Sequence, residues 1–220
     1  MKILSLNVGL PREVDWHGQA VTTGIFKDPV SGRVRLRTLN FDGDRQADLT
    51  VHGGPHKAVY AYPSEHYAYW KKELGTPELP YGAFGENLTT EGILENDLHV
   101  GDRLSIGSAE LVVTQPRLPC YKLGIRFGSA EMVKRFFLAA KTGFYFSVAR
   151  EGEIGAGDEI KIVARDPKAV PLPEIFRLYR VKAFSPGDVA SLNKLLRVPS
   201  LPASWGDYFR ARLAESAATA

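Results

Sequence analysis

Val100-Gly101-Asp102-Arg103-Leu104-Ser105-Ile106 and Ala156-Gly157-Asp158-Glu159-Ile160-Lys161-Ile162 follow one plan. Gly-Asp supplies a turn, and the alternating side chains that follow read as a strand with one buried face, the pattern of barrel or sandwich hairpins. Working outward, the first 165 residues divide into further short strands, expected at 2–8, 20–25, 33–39, 57–62, 98–106, 109–114 and 158–164. Gly, Asp and Pro separate them, and 21 glycines with 14 prolines in 220 residues favour a β-rich body over a helical bundle. Two helices interrupt this body. Ser64 is placed to cap 65–74, closed by Gly75, and Ser129 to cap 130–140 ahead of Gly143. After Arg165 the composition changes: Asp166-Pro167 and Pro171-Leu172-Pro173 form a stiff linker, then helical patterns run near 173–181, 186–196 and 202–215. The expected organisation is therefore a β domain at 1–165 and a small three-helix domain at 166–220. Helices this small bury little core alone, so they pack on the body, on a second subunit or on a partner.

The composition excludes several classes of function. Hydrophobic residues at 44% and charged residues at 24% are ordinary for a globular chain. No apolar run approaches the roughly 18 residues of a membrane span. The N-terminus reads as a first strand without the features of a secretory signal, which makes the cytoplasm the expected location. Against 25 acidic residues the 28 Lys and Arg leave a formal +3, too small and too dispersed for a nucleic-acid polymer but compatible with a local anion pocket. The single cysteine, Cys120, excludes an internal disulfide, a multi-cysteine zinc site and an iron–sulfur cluster. It leaves a buried thiol, a nucleophile or a lone metal ligand.

Three stretches carry potential chemistry. His52-Gly53-Gly54-Pro55-His56-Lys57 feeds a strand and sets backbone N–H groups and an ammonium at one loop, a place for phosphate or equally a tight solvated turn. Tyr81-Gly82-Ala83-Phe84-Gly85-Glu86-Asn87-Leu88 allows close backbone approach to a ligand, with Glu86 and Asn87 as directional contacts; a bulged connection has the same residues. In Gln115-Pro116-Arg117-Leu118-Pro119-Cys120-Tyr121-Lys122 the prolines stiffen the approach to Cys120 and the cations favour its thiolate, the form that attacks or ligates. No Walker A, GxGxxG, HExxH or GxSxG pattern is present.

In that order, HGGPHKAVYAYP (52–63), YGAFGENLT (81–89) and QPRLPCYKL (115–123) resemble the signature blocks of MOSC domains, named after the C-terminal domain of molybdenum cofactor sulfurases, and within them the YiiM-like branch. His56 stands in a slot of the first block where an acidic residue is expected. The resemblance implies a mainly β fold, a closed β-barrel of the pyruvate-kinase-barrel type with interrupting helices, and a three-helix tail. It implies the molybdenum cofactor (molybdopterin), with Cys120 as metal ligand and catalytic residue, and with His52, Gly54, Lys57, Asn87, Arg117 and Lys122 as contacts to a pterin dithiolene that ends in phosphate. Arg150, in a further YiiM-like stretch, is an additional candidate. The implied activity is reduction of N-hydroxylated compounds, hydroxylaminopurine-like bases and hydroxylamines, to amines. The chain lacks cluster cysteines and a nucleotide fingerprint, so electrons are expected from a separate reductase, which docks near the pocket; a homodimer is also expected. Competing readings are a non-catalytic carrier of cofactor or persulfide sulfur, a Cys–His hydrolase using His52 or His66, and a barrel with an inert thiol.

Overall fold

The structure is a computed structural model describing residues 1–48, 53–165 and 169–218. Its main sheet contains β1 (Lys2–Val8), β4 (Asp28–Pro29), β6 (Val59–Pro63), β7 (Leu88–Glu91), β8 (Arg103–Ile106), β9 (Ala109–Pro116), β10 (Phe144–Arg150) and β12 (Ile160–Ala164). The spatial order is β12-β8-β9-β10-β6-β7-β1-β4, antiparallel throughout except for the parallel pair β6 and β7. Two ribbons stand apart, β2 (Arg12–Trp16) with β3 (Gln19–Thr23), and β5 (Arg33–Leu36) with β11 (Gly152–Gly155).

The expected closed barrel is not what forms. The fold is mixed α/β with open sheets. Closure would need a run of paired residues in a consistent stagger along β1 and β12. The ends instead meet at one isolated bridge, Lys2 with Glu159, flanked by hydrogen bonds from Ile3 N to Asp158 O (2.9 Å) and Gly157 N to Ile3 O (2.8 Å). That contact spans the turn ahead of β12 and only the first residue of β12, where Ile160 N donates to Met1 O at 3.0 Å, and β4 takes the far end of the same edge of β1.

The two Gly-Asp stretches have a shared geometry. Gly101 and Gly157 sit at φ 95° and 91°, a region that favours glycine. Asp102 Oδ2 accepts from His99 N and Asp158 Oδ2 from Gly155 N, each at 2.9 Å, so each aspartate closes its own turn. The strands that follow, β8 and β12, pair with each other, with Ile160 opposite Ile106 and Ile162 opposite Leu104.

Helices α1 (Glu65–Leu74) and α3 (Glu131–Ala139) form close to their expected ranges, but the N-cap position of α3 is Ala130 rather than Ser129 and no side chain caps it. Gly75 ends α1 in the left-handed conformation, while Ser64 makes no side-chain cap. Between β9 and α3 lies α2 (Tyr121–Phe127), which the strand and helix patterns do not announce. Gly124 lets it cross close to α3, since a Cβ there would meet Ser129 O at 3.1 Å. An aromatic cluster of Tyr62, Tyr67, Trp70, Phe84 and Phe136 fills the space between α1, α3 and the sheet. In the tail, α4 (Leu172–Arg180), α5 (Pro186–Leu195) and α6 (Ala203–Ala218) bury Leu172, Ile175, Leu192, Trp205 and Phe209 in the same apolar cluster as Leu104, Leu111 and Phe146 of the sheet. A capping box fixes the start of α5: Ser185 Oγ accepts from Asp188 N at 3.2 Å and Asp188 Oδ2 accepts from Ser185 N at 2.8 Å.

Phe209 is fully buried at this junction. Phe209→Ala is expected to cost about 3–5 kcal/mol, read from urea unfolding.

Candidate functional site

Loops at one end of the strands enclose a cavity with about 600 Å³ of atom-free space, solvent at its mouth included. Its walls come from 23–27 after β3, from 45–47, from Gly53 and Lys57, from Tyr60 on β6, from Gly85 and Asn87 before β7, from Tyr145 on β10, and from the β9–α2 connection. That connection presents Arg117, Cys120 and Lys122. Pro116 ends β9, Arg117 N donates to Gly143 O at 3.2 Å, and Cys120 occupies the N-cap position of α2 in extended conformation with φ −125°. Cys120 is half-buried.

The cavity is rich in cations. Arg117 is 5% exposed and Lys122 7% exposed, and among the described residues no carboxylate lies within ion-pair distance of either. Arg117 Nη1 donates to Phe84 O at 2.6 Å, and its guanidinium lies 4.5 Å from the centre of the Tyr60 ring. Burial works against that charge, but the Tyr60 and Tyr145 phenols and Cys120 outweigh it, and the Arg117 pKa is raised. Burial lowers the pKa of Lys57, with Cys120 acting in the opposite direction. Burial also raises the Tyr60 and Tyr145 pKa values, so neither phenol ionises near neutral pH. Their rings lie 5.1 Å apart and form an aromatic wall.

Lys57, Asn87, Arg117, Cys120 and Lys122 therefore meet in one cavity, as the three sequence blocks predict. His52 lies outside the described residues. Gly54 lines a separate outer groove with Arg37, Asp42 and Glu151, and its neighbour Gly53 reaches the cavity instead. Arg150 is on the surface, ion-paired with Glu110 at 3.1 Å. His56 is not a cavity residue; its backbone oxygen accepts from Thr114 Oγ1 at 2.7 Å.

The polar pair 86–87 serves the scaffold. Glu86 is fully buried and accepts from Gly82 N (2.9 Å), Phe84 N (3.0 Å), Thr89 Oγ1 (3.0 Å) and the Tyr67 hydroxyl, so it ties its own loop together. Burial raises its pKa. Asn87 Oδ1 accepts from Tyr60 N at 3.2 Å, and its Nδ2 donates to Asp44 Oδ2 at 2.9 Å and Asn7 O at 3.3 Å. Its amide therefore positions the wall with no hydrogen left over for a ligand. Lys27 and Asp44, a buried ion pair at the cavity edge, are site residues that sequence reasoning missed. They are separated along the chain, and neither belongs to a recognisable motif.

Against known proteins, residues 48–161 match the MOSC domain, just over half of the chain. The chain belongs to that family. It is similar along most of its length to YiiM from Geobacillus stearothermophilus, whose crystal structure superposes with a TM-score of 0.79 at 34% identity over 96% of this chain and 98% of that one. It is 39% identical over 203 residues to the uncharacterized protein YflK of Bacillus subtilis (strain 168), covering 92% of this chain and 90% of that one. It is also 31% identical over 188 residues to a Gibberella moniliformis (strain M3125 / FGSC 7600) protein named Reductase, of which it spans 32%. The YiiM-like resemblance of the sequence is borne out. Family membership ties the function to the molybdenum cofactor, the group with which MOSC domains are associated. Among the described residues no helix is long and apolar enough to cross a membrane.

The residues fit that group. Cys120 brings one soft sulfur donor to the cavity, which suits a metal already ligated by the sulfurs of its own cofactor. The buried cations around Cys120 match a phosphate-bearing partner.

Asn87→Leu keeps the volume and strands Tyr60 N and Asp44 Oδ2. A loss of about 1–3 kcal/mol for each unsatisfied group is expected from thermal or urea unfolding.

Proposed function

We propose that this chain is a molybdenum-cofactor-dependent oxidoreductase that reduces N-hydroxylated compounds, such as hydroxylaminopurine-like bases and hydroxylamines, to amines in the cytoplasm. One observation carries the reading: Cys120 opens into a cavity where Arg117 and Lys122 are buried without a carboxylate partner among the described residues. Buried charge of one sign is costly unless an opposite charge joins it, so an anionic occupant belongs there. When bound, the cofactor supplies the two electrons that break the N–O bond.

The chain's own residues do the rest. Cys120 Sγ holds the metal. Arg117 and Lys122, with Lys57 beside Cys120, hold the phosphate-bearing end. Gly53 and Gly85, at φ 86° and 79°, let backbone come close where a side chain would intrude; a Cβ on Gly85 would sit 2.8 Å from Ile25 Cγ1. Tyr60 and Tyr145, tilted 36° to each other, form an aromatic wall against which a planar base packs. A separate reductase supplies the electrons. The Gibberella relative supports a reductive role by its name, and about two thirds of its length has no counterpart here.

The test is to purify wild type, Cys120→Ala and Arg117→Met from a host proven to make the cofactor. Molybdenum and released pterin are measured per chain, then dithionite-driven reduction of hydroxylamine and of a hydroxylaminopurine. Near-stoichiometric molybdenum and turnover are expected for the wild type, with both lost in Cys120→Ala. Loss of one charge-assisted contact in Arg117→Met is expected to weaken cofactor binding about 10- to 100-fold. Pterin retained by wild type and Cys120→Ala alike, without turnover in either, would instead favour a carrier. A protein that takes up neither metal nor pterin would overturn the proposal.

A further inference from the structure

One charged pair at the cavity has no part in holding the cofactor as assigned above. Lys27 lines the wall and is 8% exposed, with its ammonium hydrogen-bonded to Asp44, which is fully buried. Asp44 is held from three sides, since it also accepts from Gly9 N and from Asn87 Nδ2, each at 2.9 Å. An ammonium has three N–H donors. Among the described residues Asp44 is the hydrogen-bond partner of this one, which leaves donors for whatever enters the cavity.

Breaking an N–O bond consumes two electrons and two protons: the nitrogen leaves as an amine and the oxygen as water. We propose that Lys27 is the acid that delivers one of these protons to the departing oxygen, with Asp44 holding its ammonium at the cavity wall. This rests on the reading of the site as a reductase of N-hydroxylated compounds. The second proton comes from solvent at the mouth, and the electrons come from the external reductant. Lys27 is left as a neutral amine beside the Asp44 carboxylate and regains its proton from solvent.

The other groups facing the cavity are poorer donors. The Tyr60 and Tyr145 phenols are held to high pKa by burial, and Arg117 keeps its proton. Glu86 is turned into its own loop. Burial lowers the pKa of Lys57 as well, with Cys120 opposing it, but Lys57 and Lys122 are the cations assigned above to the phosphate-bearing end, whereas Lys27 is not. Burial lowers the pKa of Lys27 towards the working range of an acid catalyst, with Asp44 and then Glu86 acting against it.

Lys27→Arg and Lys27→Ala in the full-length loaded protein test the assignment. Arginine keeps the charge and the pairing with Asp44 but does not give up its proton. The expected result for Lys27→Arg is wild-type molybdenum and pterin content, wild-type spectral reduction by dithionite, and kcat for hydroxylamine lower by about 100-fold. The wild type should lose kcat as pH rises through the Lys27 pKa, and that alkaline limb should vanish in Lys27→Arg. Added ethylamine should restore part of the activity of Lys27→Ala. Near-wild-type kcat in Lys27→Arg would overturn the proposal, leaving Lys27 a positioning charge. Pterin loss in Lys27→Arg would overturn it by making Lys27 a cofactor contact, and an unchanged pH profile without amine rescue would also overturn it. A loaded wild type that reduces no hydroxylamine fails earlier and removes the functional reading itself.

Discussion

The side chain of Asn87 ties strands that already pair in the sheet to a loop that lies outside it. Its oxygen holds the backbone of Tyr60 on β6, and its nitrogen reaches β1 through Asn7 and the loop after β5 through Asp44. Asp44 in turn fixes Gly9 and Lys27. A carboxylate with no solvent exposure is tolerable only when its oxygens are fully paired. The requirement to satisfy Asp44 therefore draws the loops around β1, β3 and β7 into one rim, and that rim is the cavity.

The same constraint sets the charge of the site. Among the described residues Asp44 pairs with Lys27 and Glu86 is turned into its own loop, and neither pairs with Arg117 or Lys122. Asp44 is taken up by its donors, and Glu86 faces inward to the amides of Gly82 and Phe84 and the hydroxyls of Tyr67 and Thr89. Arg117 has an aromatic ring and a backbone carbonyl as neighbours in place of an acid. A surface loop with the same cations would be screened by water. Beside Tyr60 and Tyr145 they keep Cys120 in cationic company.

Some of this was legible in the residues. The repeated Gly-Asp stretches were read as turns leading into strands, and they are. Gly75 was read as a helix stop, and the serine, proline and glycine punctuation located the tail helices to within a few residues. Each of these signals acts over fewer than ten or so residues, where backbone sterics and capping decide the outcome. Of the residues named from the three blocks, Lys57, Asn87, Arg117, Cys120 and Lys122 line one cavity, while Gly54 lies outside it. Helix α2 escaped notice because it is short, contains Gly124 and begins just after Pro119; its crossing with α3 sustains it.

The sequence by itself determined the Gly-Asp turns, the tail helices, the lone cysteine and the cations near it, because these follow from side-chain chemistry and short-range geometry; it did not announce β2, β10 or β11, whose strands depend on their partners. Tertiary structure alone decided that the sheet stays open, since the stagger between β1 and β12 depends on every pairing in between. It alone decided that Gly53 faces the cavity while Gly54 faces outward, and that Asn87 is used up by the scaffold. It also brought Lys27 and Asp44 together, because pairing between residues distant in sequence is fixed by which buried groups still need partners once the chain has collapsed.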